Sequence, residues 1–295
     1  ISLFYALYCN YYIGFMLCLF SCLYFVVLWI SAREIKIKNI ITSAVNFGWH
    51  ALLAGGMAAV VLLPAYVALG VTESAENSFP SPIKLFVNNL SQLTSQFAFC
   101  EPINIADDQI GVNAFCGTVT LILAVLYLLD KNIKLRERIA KTALLVLLYA
   151  SFDVNVLNYI WHGFHIQNGL PNRFAFLYIA LLLCMAYDAI GHIRSYWLPE
   201  LFFAWLVPAA FVAYCYLHPD AEQELEPWIY YISFGLMAFY FGLMLIGRLA
   251  KKMRIELYSA LISAVLLVEV AANAIYGISC NGGVTRSIYI ADQIS

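Results

Sequence analysis

GTVTLILAVLYLLDKNIKLRERIAKTALLVLLYA, residues 117–150, consists of two apolar runs separated by a short basic segment. A helix needs roughly 20 apolar residues to cross the hydrocarbon core of a bilayer, and each run reaches that length with its neighbours. Backbone N–H and C=O groups find no water in lipid, so such runs are predicted to be helices rather than open strands. The stretch therefore predicts an all-α polytopic membrane protein.

The composition of the whole chain supports this class. Its 295 residues are 63% hydrophobic and 12% charged, and the mean hydropathy is +0.80. An ordinary soluble domain carries about 25% charged residues, so a soluble fold is excluded. We expect membrane lipid, and no nucleic acid, among the partners of this chain.

Apolar runs of similar length recur along the chain and predict eight transmembrane helices. These spans are predicted at 12–30, 44–69, 113–129, 142–160, 174–190, 196–217, 228–246 and 255–276. Residues 1–11 look like the end of a truncated hydrophobic segment, so we expect the chain to be part of a longer protein. The predicted organisation is helices 1–2 in 12–70, an external loop in 71–112, helices 3–8 in 113–276, and an external tail in 277–295 that leads to a missing domain.

The basic residues predict the orientation of the spans. Thirteen of the 16 lysines and arginines fall in alternate loops, and only Lys84, Arg173 and Arg286 fall in the others. Loops rich in Lys and Arg stay in the cytoplasm, so segments 70–112 and 161–173 are predicted to be external. The thirteen are Arg33, Lys36, Lys38, Lys131, Lys134, Arg136, Arg138, Lys141, Arg194, Arg248, Lys251, Lys252 and Arg254.

The long external loop contains a predicted amphipathic helix. Ser81 is suited to be its N-cap and Pro82 its first residue. Apolar residues then recur at helical spacing from Ile83 to Phe97, opposite an almost uncharged polar face. Two placements stay open, one on the outer leaflet and one packed on the top of the helix bundle. A Cys100–Cys116 disulfide is a further open alternative in this loop.

Several polar residues fall inside the predicted spans, where they are costly and often functional. Asp153 is expected about 16 Å into its span. Asn158 follows it, while Glu269 and Asn273 share one face of the last span. All lie between mid-membrane and the predicted outer face, which indicates a cavity that opens outward. The alternative is that each side chain makes an interhelical hydrogen bond and nothing more.

The predicted external segment 162–173 is the densest polar patch of the chain. Its imidazoles, His162 and His165, and the guanidinium of Arg173 together suit an anionic oxygen such as that of a phosphate. Asn168 and Asn172 add further donors. His-x-x-His by itself is a weak metal signal, because zinc normally takes three or four ligands. The alternative for Arg173 is a side chain that reaches lipid headgroups without specificity.

Four segments carry a resemblance to a known family. HGFHIQNGLPNRFAFLY at 162–178, NYYIGFM at 10–16, Leu63–Pro64, and Glu269 with Asn273 occur in the order found in the bacterial YfhO family. The resemblance extends over most of the chain. It departs from the family pattern at Gln167, where proline is expected.

This resemblance implies a glycosyltransferase of the GT-C type in a bacterial cell membrane. Such an enzyme transfers a sugar from a polyprenyl-phosphate donor, on the outer face, to lipoteichoic acid or a similar cell-envelope polymer. Its catalytic carboxylate is expected in an early external loop that would precede Ile1, so the catalytic residue is not assigned to this chain. The need for a cofactor such as a divalent cation stays open.

The resemblance and the residue chemistry together imply roles for the polar residues. Arg173 and His165 would hold the donor phosphate, and Asn168 and Asn172 would bind sugar hydroxyls. The other residues proposed to contact substrate are His162, Asp153, Asn158, Glu269 and Asn273. A transporter or flippase of lipid-linked glycans is the alternative, and it predicts polar residues that continue to the cytoplasmic face. A noncatalytic scaffold is the third interpretation.

Overall fold

The computed structural model describes residues 1–32, 37–70, 79–85, 112–165, 172–218, 226–250 and 252–280. These residues form α-helices without any β-strand, as predicted. The helices are α1 Ser2–Cys9, α2 Tyr11–Ser31, α3 Ile37–Met57, α4 Ala59–Leu69, α5 Thr118–Leu129, α6 Leu135–Asp153, α7 Asn155–Trp161, α8 Ala175–Gly191, α9 Leu198–Leu217, α10 Pro227–Leu249 and α11 Ile255–Cys280.

Each predicted span coincides with one of these helices or with a bent pair of them. Within the described ranges, four helices are individually long and apolar enough to cross a membrane: α2, α9, α10 and α11. Two bent pairs, α3 with α4 and α6 with α7, raise that number to six. Since α5 and α8 are shorter apolar helices, the predicted count of eight crossings is not confirmed.

The predicted second span is bent by 75° between α3 and α4. Gly55 and Gly56 immediately precede the break, and glycine lowers helix stability by roughly 1 kcal/mol relative to alanine. Pro64 lies inside α4, where it lacks the N–H that would bond to the previous turn. The bend brings the end of α4 towards α1 and α2, which both contact it.

The predicted fourth span, 142–160, is wrong as a single helix. Helix α6 ends at Asp153, Val154 is extended, and α7 continues at 103° to α6. The 19 residues of α6 are about 28 Å long, but the helix is apolar enough to cross a membrane only when α7 is counted with it. Asp153 is the last residue of α6, at the bend, and its depth of about 16 Å in a membrane stays a prediction.

Helix α6 begins before the predicted span, and its early turns contain a paired Lys141. The Lys141 ammonium lies 2.9 Å from Glu137 and 2.9 Å from Asp188, and its side chain is largely buried. A paired ammonium can be enclosed by the bundle, whereas an unpaired one would have to stay in water. The basic segment that looks like a loop in the sequence thus forms the first turns of α6.

Helix α5 forms the centre of the bundle and packs against α8, α9 and α10. Eight of its 12 residues are buried. The preceding segment, 112–117, is non-helical and mostly buried. Irregular backbone is tolerated at membrane depth only where protein covers it, as it does here.

The carboxylate of Glu269, on α11, accepts a hydrogen bond from a backbone amide at the N-terminus of α5. The Thr118 N–H donates to Glu269 Oε1 at 2.9 Å, and the Tyr240 hydroxyl donates to Glu269 Oε2 at 2.6 Å. Glu269 is only 4% exposed. Negative charge is favourable at a helix N-terminus, where the first amides have no partner within the helix. Gly117, at φ +93°, permits this approach, because a Cβ there would clash with the Leu266 side chain.

Three of the loops that are rich in Lys and Arg, and therefore predicted to be cytoplasmic, contact one another at one end of the bundle. The buried carboxylate of Asp130 lies 2.7 Å from His192 Nδ1 and accepts a hydrogen bond from the Tyr196 hydroxyl. Lys131 pairs with Glu200 at 3.0 Å, and Arg248 donates to the Tyr196 carbonyl. The loops around 131, 194 and 250 therefore meet at one end, and the cytoplasmic location of that end stays a prediction.

We predict that Glu269→Ala destabilises the protein. The Thr118 amide and the Tyr240 hydroxyl would each lose their partner, at roughly 1–3 kcal/mol for each buried group. Thermal unfolding in detergent, followed by circular dichroism, measures the effect. Glu256→Ala is the matched control, because its side chain on the same helix is 71% exposed. Equal melting temperatures for the two variants would contradict the prediction.

Candidate functional site

A cavity of ≈ 1060 Å³ lies at the end of the bundle where α6 finishes. It is bounded by the start of α2, the end of α4, residues 162–165 and Arg173. The lining combines apolar side chains with tyrosines, two imidazoles and one guanidinium. The lining residues are Tyr8, Cys9, Asn10, Tyr11, Tyr12, Ile13, Phe15, Val61, Tyr66, Val67, Leu69, Gly70, His162, Gly163, Phe164, His165 and Arg173.

An aromatic stack holds the polar segment against the end of α6. The Phe174 ring stacks on Phe152 with centroids 5.0 Å apart and on Trp161 with centroids 5.3 Å apart. The Trp161 indole N–H donates to Ser151 Oγ at 3.0 Å. Trp161 and Phe174 flank segment 162–173 in sequence, so the stack brings the two ends of that segment together.

Asn158 forms hydrogen bonds with residues near both ends of the same segment, His162 and Asn172. Asn158 Nδ2 donates to Asn172 Oδ1 at 2.6 Å. The Asn158 carbonyl accepts from the His162 amide at 3.1 Å and lies 2.8 Å from His162 Nδ1. Phe164 and Asn172 adopt positive φ values of 64° and 50°, which turn the chain sharply. Asn158 and Asn172 therefore lie together, and their role in binding substrate stays a prediction.

The ring of Tyr12 is the point where the charged and polar groups of the cavity meet. The guanidinium carbon of Arg173 lies 5.1 Å from its centroid, within cation–π range. The imidazoles of His165 and His162 lie 5.7 Å and 6.1 Å from it, centroid to centroid. Residues from α2 and from segment 162–173 thus share one cluster, although about 150 positions separate them.

Burial keeps His162 neutral. Its side chain is 0% exposed, and burial lowers its pKa to about 4, with the nearby His165 and Arg173 acting in the same direction. A carbonyl oxygen can only accept, so His162 Nδ1 donates to Asn158 and Nε2 carries a lone pair. Nε2 has no hydrogen-bond partner among the described residues. Burial also lowers the pKa of His165, and the charge of Arg173 lowers it further.

Three of the nine predicted site residues, His162, His165 and Arg173, line the cavity itself. Asn158 and Asn172 do not line the cavity, but they form a hydrogen bond with each other next to its lining residues His162 and Arg173. Asp153 is half-buried at the end of α6 and is not among the lining residues. Glu269 and Asn273 lie on α11 and do not line the cavity either. Asn168 is outside the described residues, so its place in the site stays a prediction.

The segment before the predicted amphipathic helix packs on α7. Asn155 accepts from the Lys84 N–H at 3.0 Å and donates to the Pro82 carbonyl at 3.0 Å through its side chain. Its amide also donates to the Lys84 carbonyl at 3.2 Å. Ser81 and Pro82 therefore do not begin a helix as predicted, because Lys84 pairs with Asn155 instead. Residues 86–97 and Cys100 lie outside the described ranges.

Asn10, Tyr12 and Tyr66 are site residues to which the sequence analysis assigned no role. A signal for the first two was present, because Asn10–Met16 is one of the segments that carry the family resemblance. Tyr66 had no such signal, since only the bend between α3 and α4 brings it to the cavity. In the described part of the chain, no group of three or more His, Cys, Asp or Glu residues is placed to hold a metal ion.

We predict that acid weakens the folded state through His162. Its pKa is lower in the folded protein than the ordinary value of 6.5, so the unfolded chain binds the proton more tightly. The contribution to stability is complete above pH 6.5 and falls as the pH drops towards 4, by up to about 3 kcal/mol. Melting temperatures of wild type and His162→Gln at pH 7 and pH 4.5 measure this contribution.

The variant should lose less stability than the wild type between the two pH values. The same substitution at His50, an exposed histidine on α3, controls for the loss of an imidazole as such. An acid sensitivity of His162→Gln equal to that of the wild type would show that His162 is not the responsible group.

Comparison with known proteins identifies the family. The chain matches the family model described as "Bacterial membrane protein YfhO" over residues 1–293. Comparison with curated proteins and with solved structures gives no match. The match covers nearly all of the 295 residues and agrees with the resemblance found in segments 10–16 and 162–178. The chain therefore belongs to the YfhO family of bacterial membrane proteins.

Proposed function

We propose that this protein is a GT-C type glycosyltransferase of the bacterial cell membrane. It would transfer a sugar from a polyprenyl-phosphate donor to a cell-envelope polymer, such as lipoteichoic acid, on the outer face. The observation that carries the proposal is the cavity of ≈ 1060 Å³ in which Arg173 lies beside two imidazoles at one end of an apolar bundle. Family membership is consistent with this activity.

The cavity has the mixed chemistry that an amphiphilic phosphate requires. Ile13, Phe15, Val61, Val67 and Leu69 provide an apolar wall that suits a prenyl chain. The guanidinium of Arg173 offers a planar set of donors that matches two phosphate oxygens. Arg173 is exposed and lines the cavity.

Transfer breaks the bond between the anomeric carbon of the sugar and a phosphate oxygen. Negative charge then grows on the leaving phosphate, and a fixed cation beside it stabilises the transition state more than the ground state. Arg173 is the residue we assign to this role, and His165 is assigned to a further hydrogen bond with the phosphate. No residue of the described chain is assigned as the base that activates the acceptor.

We assign the asparagines two different roles, one in holding the loop and one in binding the sugar. Asn172 is 5% exposed and its side-chain oxygen accepts from Asn158, so it holds the loop that presents Arg173. Tyr8, Tyr11 and Tyr66 line the cavity, and a tyrosine hydroxyl can donate or accept hydrogen bonds with a sugar. Asn168 keeps its predicted role in sugar binding.

The proposed side of action follows from the two ends of the bundle. Helix α6 runs from Leu135, next to the basic loops, to Asp153, next to the cavity. If the basic loops are cytoplasmic, as the positive-inside rule predicts, the cavity faces the outer leaflet. That placement suits an acceptor polymer outside the cell.

We expect Arg173→Ala to lower kcat/KM for sugar transfer about 100-fold or more, the usual effect of removing one stabilising donor in a transition state. Arg173→Lys should be intermediate, because it keeps the charge and loses the planar fork. The assay follows a radiolabelled sugar from a polyprenyl-phosphate donor in proteoliposomes. Arg136→Ala, an exposed arginine at the other end of α6, is the matched control.

Transfer by Arg173→Ala at the wild-type rate would overturn the assignment of Arg173. Mass spectrometry of gently extracted protein tests the donor class independently, because a bound polyprenyl-phosphate sugar should co-purify. Movement of that lipid across the bilayer without sugar transfer would replace the proposed enzyme by the flippase alternative.

A further inference from the structure

Tyr12 contacts every ionisable side chain that segment 162–173 contributes to the cavity. Arg173 lies over its ring at 5.1 Å, and His165 and His162 lie beside it at 5.7 Å and 6.1 Å. Asn172 and Phe174, which flank Arg173 in sequence, contact Asn158 of α7 and Phe152 of α6. Tyr12 therefore contacts this cluster from α2, on another wall of the cavity.

The position of Tyr12 is fixed by the start of α2. Asn10 Oδ1 accepts from the amides of Tyr12 and Ile13, both at 3.1 Å, and so caps the helix. One turn later, Gly14 lies against α1, where a Cβ would come within 2.9 Å of Leu7 Cα. The first turn of α2 is thus held by a cap and by close packing, and the Tyr12 backbone has little freedom to move.

We propose that Tyr12 is a positioning residue of the phosphate site, whose ring holds the Arg173 guanidinium in the place where it receives the lipid phosphate. The proposal rests on the proposed function for the identity of the ligand. An unrestrained arginine samples many rotamers, and binding must remove that freedom. A ring that holds the guanidinium beforehand removes this cost in advance, so the same charge binds the phosphate more tightly.

The ring, and not the hydroxyl, is the active part of Tyr12 in this proposal. A guanidinium is attracted to the face of an aromatic ring, and phenylalanine retains that face. Tyr12→Phe should therefore keep the affinity for a lipid phosphate within about twofold, whereas Tyr12→Leu should lower it about tenfold. Tyr5→Leu, an exposed tyrosine of α1 that does not line the cavity, is the matched control.

Farnesyl phosphate is the probe, and its dissociation constant is measured by calorimetry on the detergent-solubilised protein. Inorganic phosphate in a parallel titration distinguishes a lipid phosphate from a free one. Farnesyl phosphate should bind, and inorganic phosphate should compete only at much higher concentration. Equal affinity for both would overturn a lipid-phosphate site, as would wild-type protein that binds neither.

A double-mutant cycle separates positioning from simple packing. If Tyr12 acts through Arg173, Tyr12→Leu should change the affinity very little once Arg173→Gln is present. If Tyr12 only stabilises the fold, the two effects should add. Additive losses, or a Tyr12→Phe variant as weak as Tyr12→Leu, would overturn the proposal.

The same measurements keep this proposal distinct from the proposed function. Non-additive loss of farnesyl phosphate affinity, together with no sugar transfer by the wild type, would retain Tyr12 as a positioning residue and remove the enzyme. Sugar transfer by the wild type, together with additive losses of farnesyl phosphate affinity in the double mutant, would retain the enzyme and remove Tyr12 as a positioning residue.

Discussion

The bundle depends on one buried carboxylate. Helix α5 is too short to cross a membrane and begins inside the protein, where an amide without a partner is costly. Glu269 of α11 supplies that partner through Thr118, and Tyr240 of α10 satisfies its second oxygen. Because α5 packs against α8, α9 and α10, this contact fixes the central helix relative to the others.

The two ends of this bundle differ in the interactions that hold them. At the basic end, ion pairs and hydrogen bonds join the loops. The Tyr196 hydroxyl donates to Asp130, and Arg248 donates to the Tyr196 carbonyl. At the cavity end, stacked aromatic rings join Phe174 to Phe152 and Trp161, an asparagine pair links Asn158 to Asn172, and Arg173 lies over the Tyr12 ring. This end is where we propose that ligand binds.

Much of the candidate site was predictable, because its densest part is contiguous in sequence. His162, His165 and Arg173 lie within twelve positions and do share a cavity. The bend after Asp153 was not predicted, since the contacts across it, such as that of Trp161 with Phe174, form only in the folded chain. The helix start at Ser81 and Pro82 was wrong for a similar reason, because Asn155 pairs with Lys84 from 71 positions away.

Hydropathy alone determined the all-helical membrane class and the approximate place of most helices in the described ranges, because lipid requires each segment to satisfy its own backbone. The polar segment 162–173 was equally visible, since charge is rare elsewhere in the apolar runs. Only the tertiary structure decided where helices bend, which carboxylate satisfies α5, and that Tyr12 faces Arg173. Those features depend on contacts between distant residues, and no local periodicity records which distant side chains will meet.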